Sequence, residues 1–237
     1  MHIEISGIKI EVQKKNIKNL HLAVIPPDGR VRISAPIHLS DDSIAMFVRT
    51  KLGWIKKQKE KFEMQPRQSQ REYVSGETLY VFGQQYFLRV EYSYKGNSLI
   101  LSGNEAVLTV RKESSAKQRE AFVNEWYRSL LKEKIETYLH KWENITGLHC
   151  SSWQIKYMTT RWGTCNTNTN KIWLNLQLAK KPIECLEYVI LHELAHLRVP
   201  NHGKEFIAIM DHYMPYWRDT KSMLNDLKLD YMNKDNF

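Results

Sequence analysis

The sequence predicts an α+β fold. A small N-terminal α+β unit over residues 1–114 precedes a domain over residues 115–237, built from a long helix, a short sheet with an edge strand and a second apolar helix. Three observations predict this. Short segments of the first half alternate apolar and polar residues and are separated by Gly, Pro and Asn clusters, the pattern of strands and turns. Residues 116–145 hold an apolar stripe at helical spacing. A second apolar helical stretch begins after Pro182 and stops before Pro200.

In chain order, Ile3 and Ile5, then Ile8, Ile10 and Val12, keep a strand period that is interrupted at Gly7. Residues 20–25 and 31–35 flank Pro26-Pro27-Asp28-Gly29, turn chemistry that predicts a hairpin. Ser40 is placed to cap a helix, with Asp41 and Asp42 in its positive first turn. Ile44, Phe47, Val48, Leu52 and Ile55 form its apolar stripe. Residues 65–76 are polar and read as a connector. Short strands are expected near 78–82, 85–92, 98–101 and 107–110.

Ser114-Ser115 precedes the long helix, and Gly147 ends it. Phe122, Val123, Trp126, Leu130, Leu131, Ile135, Tyr138, Leu139 and Trp142 hold one face, with both tryptophans read as core. Strands are expected at 153–158 and 171–178, on either side of Thr159-Thr160-Arg161-Trp162-Gly163-Thr164-Cys165. Pro182 suits the first turn of the next helix. Ile183, Leu186, Val189, Ile190, Leu194 and Leu197 pack that helix. Phe206, Ile209, Met210 and Tyr213 predict a further helix before Pro215, and the last twenty residues read as helical, then frayed.

With 237 residues, 42% hydrophobic and 11% aromatic, the chain has ample material for a buried core. No repeat of 20–50 residues is visible. No apolar run is long enough for a membrane-spanning helix, and the N-terminus lacks the pattern of a signal peptide. Cys150, Cys165 and Cys185 are odd in number and unpaired in spacing, which predicts reduced thiols and a cytoplasmic protein. The formal net charge is +9. A basic run, Arg49, Lys51, Lys56, Lys57, Lys59 and Lys61 against Glu60, suits either a solvated helix face or a nucleic-acid contact.

The segment that carries chemistry is His192-Glu-Leu-Ala-His-Leu-Arg-Val-Pro-Asn-His202. On a helix His192 and His196 lie on one face, one turn apart, a spacing that presents two imidazoles to one tetrahedral zinc. Glu193 is about 100° round the helix, beside the metal, where a general base for an activated water belongs. A continued helix would carry His202 about 9 Å further along the axis and onto another face. Pro200 and the preceding Val199 disfavour that, so the helix is expected to stop near Arg198 or Val199 and let His202 swing back. Three protein nitrogens and one open position define a catalytic rather than a structural zinc site. Glu205, Asp211 and His212 are alternative third ligands.

Arg161-Trp-Gly-Thr-Cys165, the strand containing Asn175, His192-Glu-Leu-Ala-His196 and Asn201-His202-Gly-Lys-Glu-Phe206 occur in the order found in the YgjP-like metallopeptidases, which this chain resembles. The Pro-Asp-Gly hairpin, Ala35-Pro36, the Ser40 helix and Lys51–Ile55 extend the resemblance over nearly the whole chain. The resemblance implies a zincin-like catalytic domain, a Zn2+ cofactor and His202 as third ligand. The His-Gly-x-Glu-Phe tail is also similar to that of SprT-like proteases, some of which act on DNA-bound proteins. Metzincins share the three-histidine spacing but place glycine where this chain has Val199, so the turn differs. Thr164 stands where the family usually has serine and keeps the hydroxyl.

These readings imply metal-assisted hydrolysis, with Glu193 moving the proton. Tyr213, Tyr216, His212 and Arg161 are candidate donors to a developing oxyanion. In a zincin-like domain the 171–178 strand would be the edge that pairs with extended substrate. Asn175 would face that substrate or hold the zinc helix; Glu205 would orient a ligating imidazole, and Cys165 would be either a fourth ligand or a buried thiol. The leading expectation is a zinc metallopeptidase acting on peptide or protein. The alternatives are a zinc hydrolase of non-peptide amides and a nucleic-acid-associated protein, including a protease recruited to DNA.

Overall fold

The computed structural model describes residues 1–25, 29–158 and 160–226, without the side chains of 61–64 and without 65–70. The turn residues Pro26 to Asp28, most of the expected connector, Thr159 and the C-terminal tail beyond 226 lie outside the described residues. Within these limits the chain is α+β, with six helices and three small mixed sheets. It forms two compact units, one within residues 1–64 and one within 71–226. The expected division at 114 therefore falls inside the second unit. The four strands expected to complete the N-terminal unit belong with the long helix, because their apolar faces share its core.

In the first unit, β1 (His2–Ile5) and β2 (Ile8–Lys15) pair antiparallel across Ser6 and Gly7. Both turn residues have positive φ, 52° and 75°, as a two-residue hairpin turn requires. β3 (His21–Ile25) and β4 (Arg30–Pro36) pair antiparallel as the expected hairpin strands, with Ile25 opposite Arg30. The sheet order is β1-β2-β4-β3, with β2 and β4 parallel. Ser40 accepts from the Ser43 amide, capping α1 (Asp41–Thr50). The single helix expected here is two: the chain breaks at Lys51 before α2 (Leu52–Met64). Ile10, Val12, Ile33, Ile44, Val48 and Ile55 close this core.

The second unit begins with β5 (Thr78–Val81), β6 (Gln84–Tyr92), β7 (Ser98–Ser102) and β8 (Glu105–Val110), in the order β5-β6-β8-β7. α3 (Ala116–Thr146) follows, opened by a capping box between Ser115 and Gln118 and closed by Gly147 at φ 69°. Its buried face runs Val123, Tyr127, Leu131, Ile135, Leu139 and Trp142; Tyr127 donates to the Tyr80 carbonyl at 2.8 Å.

A three-stranded sheet comes next: β9 (Ser152–Lys156), β10 (Gly163–Asn166) and β11 (Lys171–Asn175), ordered β10-β11-β9. The strand expected to run to 178 stops at Asn175, whose side chain caps a 3-10 turn over Leu176–Lys180. β11 is the centre of this sheet, not its edge. β9 lies parallel on one side and β10 antiparallel on the other, so β9 and β10 are the edges.

α4 (Ile183–Ala195) starts at Pro182 and carries H-E-x-x-H. It packs against α3, the 3-10 turn, β10, β11, α5 (Lys204–Tyr213) and α6 (Trp217–Asp226). That enclosure explains why Cys185, Leu186, Val189, Ile190, Leu191 and Leu194 are buried round most of its circumference. Among the described residues, no helix is long and apolar enough to cross a membrane.

Candidate metal centre

α4 ends at Ala195, before the expected Arg198 or Val199, because the chain tightens first. The Leu197 and Arg198 amides donate three residues back, to Leu194 and Ala195, and the Val199 amide also reaches Ala195. Pro200 follows this tightened turn and forbids a return to helix. The chain then reverses, and α5 begins directly after His202 and Gly203.

The reversal brings three imidazoles together. His196 Nε2 is 3.2 Å and His202 Nε2 is 3.0 Å from His192 Nε2, and the three candidate ligand atoms lie within 4.8 Å of one another. Two nitrogens bound to one tetrahedral zinc at 2.0–2.1 Å are about 3.3–3.4 Å apart, close to these spacings. Hydrogen bonding alone does not account for the cluster. His196 Nδ1 lies 3.1 Å from the Val199 carbonyl, which can only accept, so Nδ1 carries the proton and neutral His196 offers a lone pair at Nε2. A single N–H on His192 cannot serve both neighbours well, whereas a cation satisfies all three. The donor set therefore fits a divalent metal.

Phe206 packs under all three rings, its centroid 5.0, 4.8 and 4.7 Å from those of His192, His196 and His202. It is 1% exposed and rises from the first turn of α5, so the helix that follows the reversal also floors the cluster. Tyr188, one turn before His192 on α4, places its hydroxyl 3.5 Å from His192 Nδ1 and stacks on Trp217. Burial, with the neighbouring His196 and His202 adding to it, holds His192 down at about 3. Burial also lowers His196, against the bond to Val199. Neutral imidazole is the form that binds metal.

Glu193 is 5% exposed and beside the histidines on α4. Burial pushes its carboxyl up to about 8, while Arg161 pulls the other way. A cation held by the adjacent imidazoles also favours the carboxylate form. Gly163 on β10 presses against this side chain. A Cβ there would stand 2.6 Å from Oε1 and 2.8 Å from Cγ.

A cleft of about 490 Å³ opens over the cluster. Residues 161–165 form one part of its lining, α4 another, and Lys221, Leu224 and Asn225 of α6 a third. Arg161 and Cys165 line the cleft; Tyr213, Tyr216 and His212 do not. Cys165 is outside the ligand cluster, and burial pushes its thiol up to about 11, with Glu193 adding to the shift. The alternative ligands are engaged elsewhere: Glu205 lies 3.7 Å from Arg198, Asp211 accepts from Trp217 and Arg218, and His212 packs on Tyr213.

Asn175 is 3% exposed and does not line the cleft. Its Nδ2 donates to the Met158 and Arg161 carbonyls at 2.8 and 2.7 Å, and its Oδ1 accepts from the Met158 and Gln177 amides. It thus ties down the loop that delivers Arg161. Sequence reasoning missed Tyr188, Gly163 and Lys221. Only Tyr188 had a signal, its i−4 spacing from His192; the others come from elements distant in sequence.

Known proteins resemble this chain at the level of family. The family model described as "YgjP-like, metallopeptidase domain" matches residues 18–227. No curated protein matches the chain. Among solved structures, the metallopeptidase zymogen abylysin of Pyrococcus abyssi is 18% identical and aligns over 41% of this chain and 99% of its own, with a TM-score of 0.37. The zymogen jannalysin of Methanocaldococcus jannaschii is 23% identical over 38% of this chain and 93% of its own, with a TM-score of 0.35. With a family model that spans most of its length, the chain belongs to the YgjP-like metallopeptidase-domain family.

Proposed function

We propose that this protein is a zinc-dependent peptidase in which His192, His196 and His202 hold the metal and Glu193 is the general base. The observation that carries the reading is the convergence of three imidazole nitrogens beside one buried carboxyl. Bound there, zinc supplies Lewis acidity, lowering the pKa of a water to about 7 and polarising a carbonyl.

The chain's own residues do the rest. The Val199 carbonyl fixes the His196 tautomer, so that Nε2 binds without rearrangement. The Glu193 carboxylate takes the proton of the attacking water and passes it to the leaving amine. Its burial keeps bulk water from competing for that proton. Arg161 lines the cleft, where its charge would stabilise negative charge developing on the substrate.

β10 supports a peptide rather than a small amide as substrate. It is an edge strand, it lines the cleft, and Gly163 gives an extended chain close access. Such a chain can add to β10 by main-chain hydrogen bonding.

The test is Glu193→Gln. The purified variant is expected to keep its zinc and lose hydrolysis of a peptide library by a factor of about 10²–10⁴. Equal hydrolysis by wild type and variant would refute the mechanism. Products from a panel of small amides, with none from peptides, would refute the substrate class.

A further inference from the structure

We propose that Arg161 and Lys221 make the cleft a receptor for a carboxylate, so that the substrate is a peptide bearing an acidic side chain or a free C-terminus near the bond to be cut. The proposal rests on the peptidase reading and specifies its substrate class.

The lining of the cleft is one-sided in charge. Arg161 and Lys221 are its cations, and Glu193 is the only carboxyl among the described residues that line it. The two cations arrive on different elements, Arg161 just before β10 and Lys221 from α6, and both elements pack on α4.

Among the described residues neither cation is in a salt bridge: Asp211 is bound to Arg218 and to the Trp217 indole N–H, and Asp226 of α6 accepts from Ser222. The Lys221 ammonium lies 5.5 Å from the Trp217 ring centre, a contact that fixes its stem and leaves its charge in place. Asn175 clamps the Arg161 carbonyl and so holds that residue at the cleft. A concave lining in which cations outnumber carboxylates concentrates ligands of the opposite sign. Thr164, Thr167 and Asn225 add neutral polar groups and no second acid.

Fluorescence anisotropy on the Glu193→Gln protein tests this without turnover. The probes are four labelled octapeptides, with Glu or Gln at the centre and each with a free or amidated C-terminus. Carboxylate-bearing peptides are expected to bind roughly tenfold more tightly at low salt, and the advantage should shrink as ionic strength rises. The four arms separate a side-chain from a terminal carboxylate. Both cations are on exposed side chains, so their substitution spares the core. Arg161→Gln and Lys221→Gln should each cut the ratio several-fold, and Lys221→Glu should cut it further than Lys221→Gln.

A ratio near one would overturn the proposal, as would a ratio unchanged in the double Gln variant. A single-stranded oligonucleotide that binds more tightly than the acidic peptides, in a Lys221-dependent way, would also overturn it. Failure of the peptidase reading would appear separately, as absence of cleavage by wild type while the binding ratio stands.

Discussion

Glu193 and Gly163 meet across two elements distant in sequence, and the contact gives the glycine a purpose. Its φ is not left-handed, so no backbone strain requires glycine there; space does. A methyl at 163 would enter the volume of Glu193 Oε1, Cγ and Cδ, and Glu193 is too buried to swing aside freely. Overpacking of this kind costs about 1–3 kcal/mol. Displacing a catalytic group by 1 Å costs about 10²-fold in rate. Gly163→Ala is therefore expected to lower peptide hydrolysis by about that factor while zinc content, measured in parallel, stays at the wild-type level. A wild-type rate would show that the carboxyl has room to move. The histidines were legible in the sequence because their spacing is local. Gly163, Lys221 and the role of Phe206 were not, since each depends on a neighbour that only the folded chain supplies.

At the scale of elements, the caps and breaks were legible. Ser40 and Ser115 sit at helix starts and Gly147 at an end, each for a reason confined to a few residues, whereas α4 ends at Ala195, five residues before Pro200. Strand roles were less so. β11 has the composition of an edge or a centre equally well, and only its pairing with both β9 and β10 decides. Asn175, expected either to face substrate or to hold the zinc helix, instead clamps the Met158 and Arg161 carbonyls. Truncation to Ala would leave the Met158 and Arg161 carbonyls and the Gln177 amide without this partner. Asn175→Ala is expected to destabilise the fold by on the order of 1–3 kcal/mol, visible as a lower urea midpoint. An unchanged midpoint would mean that water replaces the side chain at no cost.

At the scale of the molecule, the two units share one plan. Strands begin at 2, 8, 21 and 30 in the first and at 78, 84, 98 and 105 in the second, and helices begin at 41 and 116. Both sheets place the second and fourth strands parallel at the centre. The turns correspond as well: Ser6-Gly7 and Phe82-Gly83 all have positive φ. This period is longer than the 20–50 residues in which no repeat was visible, and it lies in topology rather than in residue identity.

The second unit also contains all three cysteines, whose thiols burial pushes up from 9.0 to about 11, with Glu143, Glu193 and Glu184 adding to the shift in turn. Between those pH values the unfolded chain has released these protons and the folded chain retains them. The folded state then binds more protons, so stability is full below about pH 9 and falls as pH rises through 11. The urea midpoint should drop between pH 8 and pH 10.5. Replacing Cys185 by Ala should make that drop shallower; an equally steep loss would assign it to other groups.

The central claim is that three imidazoles from one helix and the turn after it form a single metal centre. It is tested most directly by the zinc content of purified wild-type and His202→Ala protein, measured by mass spectrometry of the elements. Wild type is expected to hold about one zinc per chain and the variant to lose most of it under mild chelation, as a site reduced from three protein ligands to two does. Wild-type protein without metal, or a His202→Ala variant that retains a full equivalent under the same chelation, would contradict the account.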